Sequence, residues 1–144
     1  MGEFIADKII KGLITTGKKV IDAKVVVLGL TFKENTPDTR NSKVNDILKR
    51  LAEYDIQPEI VDPWASSADA MKEYGVTLTE FDSIKDADCV VLAVGHNEFK
   101  DLSFDQVDSL FDQALPNKDR VLVDIKSILD SEAFVEAGYH FWRL

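Results

Sequence analysis

One segment of the sequence carries residue types that suit a phosphate-bearing ligand. Residues 31–40 hold two cations, Lys33 and Arg40, together with the aromatic Phe32 and the acidic Asp38. The segment ends beside the expected start of a helix, where free backbone N–H groups attract anions. Positive side chains at the same place add charge-assisted hydrogen bonds. This combination predicts binding of a phosphate-bearing molecule.

The same charges also have a purely structural interpretation. Lys33 and Arg40 could form ion pairs with the nearby carboxylates of Glu34, Asp38 or Asp46. Exposed pairs of this kind contribute only about 0–1 kcal/mol to the free energy of unfolding. Because stability gives so little reason to place both cations here, we expect ligand binding.

The segments on either side of this loop predict how it is positioned. Residues 25–30 form an unbroken apolar run rich in β-branched side chains, which is typical of a strand buried on both faces of a parallel sheet. Apolar side chains then recur with the spacing of one helix face, at Val44, Ile47, Leu48 and Leu51. Asn41 or Ser42 can cap this helix through its side-chain oxygen. Open α/β sheets bind ligands at loops that leave the carboxyl ends of such strands.

The rest of the chain repeats the alternation of strands and helices. Further strands are predicted at residues 57–62, 88–94 and 121–125, with a short edge strand at 76–78 and a last strand or extended tail at 139–142. Helices are predicted at residues 2–16, 66–74, 82–86, 102–115 and 129–137. We therefore predict an α/β fold, a Rossmann-like doubly wound parallel sheet with an N-terminal helical extension.

Composition and charge restrict the classes of function. The chain has 144 residues and a net charge of −9, which argues against nucleic acid as a partner because its phosphates require a basic surface. A single cysteine excludes a disulfide framework and favours a reducing compartment, so we expect a cytoplasmic protein. No apolar run approaches the roughly 20 residues that span a bilayer, so we expect no membrane partner.

The loop lacks the glycine pattern of a complete dinucleotide site. Gly29 follows the first strand, but the second and third glycines of G-x-G-x-x-G, which let a pyrophosphate approach the backbone, are missing. Asp62 ends the second strand, where a Rossmann fold places its ribose-binding acid, yet it lies well beyond the usual spacing of roughly 20 residues. Independent binding of NAD is therefore not expected, although side chains of the loop can still hold a nucleotide.

Reactive residues outside the loop give weaker signals. Cys89 lies within an apolar strand, and we interpret it as a buried small hydrophobe instead of a nucleophile. His96 follows the same strand and is expected to face the ligand crevice; the absence of a triad partner or metal-ligand spacing favours a turn-capping role over a catalytic base. Lys126 is either a third cation of the crevice or an exposed loop lysine. We assign no catalytic residue and no metal ligand.

The loop sequence resembles a known family motif. GLTFKENTPDTRNSKVNDIL is similar to the C-terminal, nucleotide-sugar-binding domain of the UDP-glucose/GDP-mannose dehydrogenase family, whose hallmark is F-K-x-x-T-x-D-x-R-x-S. Six positions match at the family spacing, namely Phe32, Lys33, Thr36, Asp38, Arg40 and Ser42. The closing DIKSILD and FWRL resemble the branch that oxidises UDP-N-acetylhexosamines, the Vi-polysaccharide type included.

The resemblance implies a role within a larger enzyme of polysaccharide biosynthesis. Complete family members use NAD to oxidise the C6 alcohol of a UDP-sugar to a carboxylate. Their NAD-binding domain and cysteine nucleophile precede this domain, so residues 1–20 are expected to end a helical connector to a missing upstream region, and residues 21–144 to form the UDP-binding domain. The isolated chain would then be inactive, with NAD bound mainly by the missing N-terminal domain.

The resemblance also implies roles for single residues and partners. Phe32 and Lys33 resemble the residues that meet the UDP portion, Arg40 the residue that reaches NAD, and Lys126 a basic residue near the sugar nucleotide. The expected partners are a UDP-sugar and the remainder of the same polypeptide, with the full-length enzyme a homodimer or higher oligomer. The alternative is a free-standing nucleotide-binding or regulatory module that acts through a partner chain.

Overall fold

Five strands form one parallel sheet in the computed structural model, which describes residues 2–144. The strands are β1 (Val25–Leu28), β2 (Glu59–Val61), β3 (Cys89–Leu92), β4 (Val121–Asp124) and β5 (His140–Arg143). Their order across the sheet is β2-β1-β3-β4-β5, and every neighbouring pair is parallel. The last segment is therefore a strand and not an extended tail.

Helices cover both faces of this sheet. They are α1 (Gly2–Thr15), α2 (Val44–Ala52), α3 (Ser67–Tyr74), α4 (Asn97–Lys100), α5 (Phe104–Asp108) and α6 (Ser131–Glu136). Successive residues of a strand point to opposite faces. Accordingly, Val25 and Val27 of β1 belong to the core shared with α1 and α2, whereas Val26 and Leu28 belong to the core shared with α4, α5 and α6. The predicted doubly wound α/β fold is confirmed.

The N-terminal helix packs into the first of these cores. Ile5, Ile9 and Leu13 of α1 are buried together with the apolar face of α2. Gly12 lets α1 approach the sheet, because a Cβ at this position would lie 2.9 Å from the Cγ1 atom of Val121. Apolar packing thus fixes α1 against α2 and β4.

The long helix predicted at residues 102–115 is wrong, since only α5 forms in this region. Phe111 pairs with Ala87 in an isolated parallel bridge, and the N–H of Ala87 donates to the carbonyl oxygen of Leu110 at 3.0 Å. A backbone that pairs with a neighbouring strand segment cannot continue a helix. The apolar spacing survives as burial, because Val107, Leu110 and Phe111 still pack into the second core.

Two shorter predictions also differ from the structure. The helix predicted at residues 82–86 is a single 3-10 turn, Phe81–Ser83, and Asp86 has a positive φ of 62° that no helix adopts. The edge strand predicted at residues 76–78 is reduced to one bridge between Leu78 and Ile60. Both segments run along the β2 side of the sheet.

The strand order fixes the place of a ligand crevice. The chain passes from β1 outward to β2 and then returns to β3 on the other side of β1. Loops after β1 and β3 therefore leave in opposite directions, and open α/β sheets bind ligands at such a switch point. The crevice, as we use the term, is the space outside the carboxyl ends of β1 and β3. Residues 29–43 and 93–96 border it.

Candidate functional site

The two loops that border the crevice cross closely at Gly29. This residue has a φ of +108°, a conformation that side chains disfavour. A Cβ here would lie 2.5 Å from the Cβ atom of Val94 and 2.8 Å from the Val94 backbone nitrogen. Glycine at position 29 therefore allows the two loops to pack closely against each other.

The loop after β1 closes on itself and presents two of the predicted site residues. The N–H of Phe32 donates to the carbonyl oxygen of Asp38 at 2.7 Å, and the Thr31 hydroxyl donates to the carbonyl oxygen of Lys33 at 2.9 Å. Asn35 turns the chain with a positive φ of 57°. Phe32 remains 49% exposed, and Lys33 is exposed beside it. Both side chains are thus accessible from the crevice.

Asp62 anchors the start of this loop. Its Oδ2 atom accepts hydrogen bonds from the N–H groups of Leu30 at 2.7 Å and Thr31 at 3.0 Å, and Nε2 of His96 lies 3.0 Å away. Its Oδ1 atom accepts two more from the backbone that follows β2. Burial alone would raise the pKa of Asp62, but hydrogen bonds from His96 and the backbone outweigh it and lower the pKa. With both oxygens occupied, Asp62 does not offer the ribose contact of a dinucleotide site.

His96 does not face the crevice as predicted, because its side chain is completely buried. Its Nδ1 atom accepts the N–H of Asn35 at 2.9 Å, and its Nε2 atom lies 3.2 Å from the Thr31 hydroxyl in addition to Asp62. Although His96 precedes α4 directly, its side chain makes no capping hydrogen bond to that helix. The ring instead joins the end of β2 to the middle of the β1 loop, where it accepts the N–H of the turn residue Asn35. The turn-capping interpretation of His96 therefore agrees with the structure, and its expected position facing the crevice is wrong.

A tyrosine on α3 holds the far end of the loop. The Tyr74 hydroxyl donates to the carbonyl oxygen of Thr39 and accepts the N–H of Ser42 at 3.0 Å. Ser42 in turn accepts the N–H of Val44 through its Oγ atom at 3.2 Å, at the start of α2. Of the two predicted caps, Ser42 bonds the first N–H of α2, although Lys43 is the residue that directly precedes the helix, and Asn41 takes a positive φ of 57°.

Arg40 lies on the α3 side of the loop and has an acidic partner. Its Nε and Nη2 atoms contact the two carboxylate oxygens of Asp38 at 3.1 and 3.3 Å. Hydrogen bonds from the Arg40 side chain, and then from its backbone N–H, lower the pKa of Asp38. The same pairing raises the pKa of Arg40, to which the charge of Glu73 also contributes. The Arg40 side chain nevertheless remains 75% exposed.

Lys126 is on the opposite side of the loop, close to two other lysines. The Oδ1 atom of Asp124 accepts a hydrogen bond from the Lys126 N–H at 3.2 Å and so orients the backbone of Lys126. A Cβ at Gly95 would lie 3.9 Å from the Cβ atom of Lys126 and 3.8 Å from the Cε atom of Lys100. The pKa of Glu34 is lowered, first by a hydrogen bond with its own backbone and then by the charges of Lys126, Lys100 and Lys33. These three cations therefore lie close enough to act on the charge of Glu34.

The structure thus divides the predicted site residues into two groups. Lys33 and Lys126 both lie near Glu34, whereas Arg40 pairs with Asp38 and lies near Glu73 of α3. Phe32 precedes Lys33 directly in the chain. Sequence analysis missed Lys100, which is the last residue of α4, the short helix that follows β3. It also missed Tyr74, because its contacts with Thr39 and Ser42 join residues that are more than 30 positions apart in the sequence.

Two cavities lie near the carboxyl ends of the strands. One cavity, of about 180 Å³, is lined by Lys43, Lys126 and Ala93, the residue that directly follows β3. Another of about 570 Å³ lies on the β2 side, where Phe81, Phe99 and polar groups line it. Within residues 2–144, no group of three or more His, Cys, Asp or Glu side chains could hold a metal ion.

Cys89, at the start of β3, is fully buried. Burial raises the pKa of its thiol, which suppresses the nucleophilic thiolate. The interpretation as a buried small hydrophobe is confirmed.

Among the helices of residues 2–144, none has the length and apolarity to cross a membrane.

Comparison of the sequence with known families gives one match to this region. Residues 26–131 match the profile described as UDP-glucose/GDP-mannose dehydrogenase family, UDP binding domain. A UDP-N-acetyl-D-glucosamine 6-dehydrogenase of Pseudomonas aeruginosa is 41% identical over 132 residues, which cover 92% of this chain and 30% of that protein. A protein of the same description from Salmonella typhi is 34% identical over 133 residues, with the same coverage of 92% and 30%.

A solved structure supports the fold. The crystal structure of an NDP-N-acetyl-D-galactosaminuronic acid dehydrogenase from Methanosarcina mazei Go1 matches with a TM-score of 0.83 at 20% identity, over 99% of this chain and 28% of that one. The chain accordingly spans about three-tenths of the length of the curated relatives it matches.

Proposed function

The chain belongs to the UDP-glucose/GDP-mannose dehydrogenase family, and on that premise we propose that it is the nucleotide-sugar-binding part of an NAD-dependent UDP-sugar 6-dehydrogenase. The observation that carries the proposal is the loop after β1, which exposes Phe32 and Lys33 at the switch point of the sheet. The 41% identity to a UDP-N-acetyl-D-glucosamine 6-dehydrogenase supports a UDP-N-acetylhexosamine as substrate and a uronic acid as product, in polysaccharide biosynthesis. Such an enzyme would act in the cytoplasm, where nucleotide sugars and NAD are available.

The side chains of the loop suit a uridine diphosphate. The half-exposed ring of Phe32 offers a flat apolar surface to the nucleoside. Lys33 supplies a mobile positive charge for the diphosphate, and Lys126 a second one across Glu34. Because the chain as a whole carries a charge of −9, this local group of cations is the feature that would select an anion.

NAD does not fit this chain as an independent site. Gly29 packs closely against Val94, and both carboxylate oxygens of Asp62 accept hydrogen bonds from the protein itself. We therefore propose that another part of the enzyme binds NAD and that Arg40 reaches it from this domain. When bound, NAD would accept the hydride removed from the sugar alcohol.

The catalytic nucleophile is also proposed to lie outside this chain. Cys89, the only cysteine, is buried in the centre of the sheet with a raised pKa. The coverage of about 30% of the relatives' length leaves room for an NAD-binding domain and a nucleophile elsewhere in the full protein. We propose that residues 1–20 connect to that region and that residues 21–144 form the UDP-binding domain.

A titration of the isotope-labelled chain with UDP tests the proposal. NMR shifts should be largest for the amides of Phe32, Lys33 and Lys126. The expected dissociation constant is about millimolar, because one wall of the crevice gives only part of the contact surface. Lys33→Ala should weaken binding about tenfold, as expected for the loss of a charged contact.

Lys118→Ala is the matched control for this titration. It removes the same charge at the 3-10 turn Asn117–Asp119, before the amino end of β4, and should leave UDP binding unchanged. Shifts confined to the amino ends of the strands, or an equal loss of affinity in both variants, would exclude the proposed crevice.

A further inference from the structure

The exposed part of the β1 loop has one hydrogen-bonded link to the rest of the fold. Within the described chain, hydrogen bonds that join residues 32–38 to partners outside residues 31–40 all involve Asn35. Its backbone N–H donates to Nδ1 of His96 at 2.9 Å, and its side-chain oxygen accepts the N–H of Asn97 at 3.0 Å. The position of Phe32 and Lys33 therefore depends on this contact.

The hydrogen-bond partners of His96 define its protonation. Because Asn35 donates to Nδ1, that nitrogen carries no proton, and the ring proton of the neutral imidazole is on Nε2. From there it is donated to Oδ2 of Asp62 at 3.0 Å, with the Thr31 oxygen a second acceptor at 3.2 Å. The Thr31 hydroxyl uses its own proton for the carbonyl oxygen of Lys33. Every proton in this chain of contacts thus has an acceptor.

The surroundings of His96 prevent direct contact with a ligand. Its side chain is 0% exposed, with the rings of Trp64 and Phe99 at centroid distances of 6.1 and 5.6 Å. Any effect of His96 on a molecule in the crevice must therefore act through the loop that it holds.

We propose that His96 is a positioning residue for nucleotide binding: it transmits the fixed position of Asp62 to Asn35 and so places Phe32 and Lys33. This inference rests on the proposed function for its ligand, UDP. It differs from a general structural role, because it assigns the effect to one ring nitrogen. The Nδ1 atom positions the loop, and the Nε2 atom anchors the ring.

Two amide substitutions separate the nitrogens. His96→Asn places an amide oxygen near the position of Nδ1 and can still accept the Asn35 N–H, but it does not reach Asp62. His96→Gln extends to the position of Nε2 and can still donate to Asp62, but it leaves the Asn35 N–H without an acceptor. Both variants lose the same ring from the core, and Gln keeps one methylene more than Asn, so the two affinities must be compared at the same folded fraction.

The two variants should bind UDP differently. We expect the dissociation constant of His96→Gln to exceed that of His96→Asn by about five- to tenfold, the scale of one hydrogen bond. His140→Asn removes the other histidine, at the amino end of β5, and should leave binding unchanged. Equal affinities of the two His96 variants, compared at the same folded fraction, would overturn the proposal.

The parent chain gives a test that needs no variant. With only two histidines, the ring nitrogens are readily assigned by NMR, and His96 should carry its proton on Nε2. Hydrogen exchange of the Asn35 amide should slow when UDP binds, because UDP favours the loop in which this amide is bonded. A proton on Nδ1, or exchange unaffected by saturating UDP, would overturn the inference even if both variants failed to fold. If UDP does not bind the parent at all, the proposed function fails, whereas the ring signature still reports the contact.

Discussion

Arg40 and Asp38 form a two-point pair on the surface of the loop, with Nε and Nη2 of the guanidinium directed at separate carboxylate oxygens. The pair orients the planar group, although three-quarters of the Arg40 side chain is exposed to solvent. Lys33, on the other side of the same loop, has no comparable partner among the described residues and remains a mobile charge. The two cations are therefore prepared for different ligands.

This difference predicts a division of labour in an active full-length enzyme that contains this domain. Lys33→Ala should raise the KM for the UDP-sugar about ten- to a hundredfold with a much smaller effect on NAD, and Arg40→Ala should do the reverse. Steady-state kinetics with each substrate varied in turn measure both effects. Each variant should melt within a few degrees of the parent, because neither side chain is buried. If both variants weaken the same ligand, the two-sided loop is refuted.

The Arg40–Asp38 pair also predicts a pH dependence. Because Arg40 lowers the pKa of Asp38, the folded pKa lies below the unfolded value of about 3.9. Any stability that the pair contributes is present above that value and is lost as the pH falls through the folded pKa. An NMR titration of the Asp38 carboxyl carbon should show this pKa rise in Arg40→Ala. The pKa should not change in Arg143→Ala, which removes an exposed arginine from β5. An unchanged pKa in the first variant contradicts the pairing.

Two glycines with positive φ allow steric crowding to be separated from backbone strain. Gly138 has a φ of +91°, and no atom lies within 4 Å of the place that a Cβ would take there, so Gly138→Ala should cost about 1–2 kcal/mol in the free energy of unfolding. Gly29→Ala adds the collision with Val94 and should cost about 3–5 kcal/mol. Urea denaturation measures both. Similar losses would mean that the β1 and β3 loops can separate without cost.

The isolated chain should not reduce NAD when mixed with a UDP-sugar. Its one thiol is buried, and its Gly29 and Asp62 are unsuited to a dinucleotide. The formation of NADH, followed by absorbance, should stay at the level of the buffer for both the parent and Cys89→Ser. Turnover that the parent has and Cys89→Ser lacks would contradict the assignment of the nucleophile to another region.

Sequence patterns predicted the strands better than the helices for a physical reason. The three central strands β1, β3 and β4 are buried on both faces, so each carries an apolar run that is visible locally, as at Val25–Leu28. The end of α5 depends on pairing between Phe111 and Ala87, which are distant in sequence. The loop motif likewise revealed which side chains are presented. It gave no sign that His96 supports them, because the Asn35–His96 contact joins residues 61 positions apart.

Chemical modification of the Cys89 thiol can report how often the sheet opens. The thiol belongs to β3, which has hydrogen-bonded neighbours on both sides, and it is completely shielded in the folded state. A thiol reagent can reach it only in molecules whose central strand has separated from its surroundings. The rate of thiol modification under native conditions therefore measures how often those rare openings occur. Any ligand that binds the folded crevice will lower the rate of thiol modification in proportion to its occupancy. The affinity of the ligand can therefore be measured through a residue that the ligand does not contact.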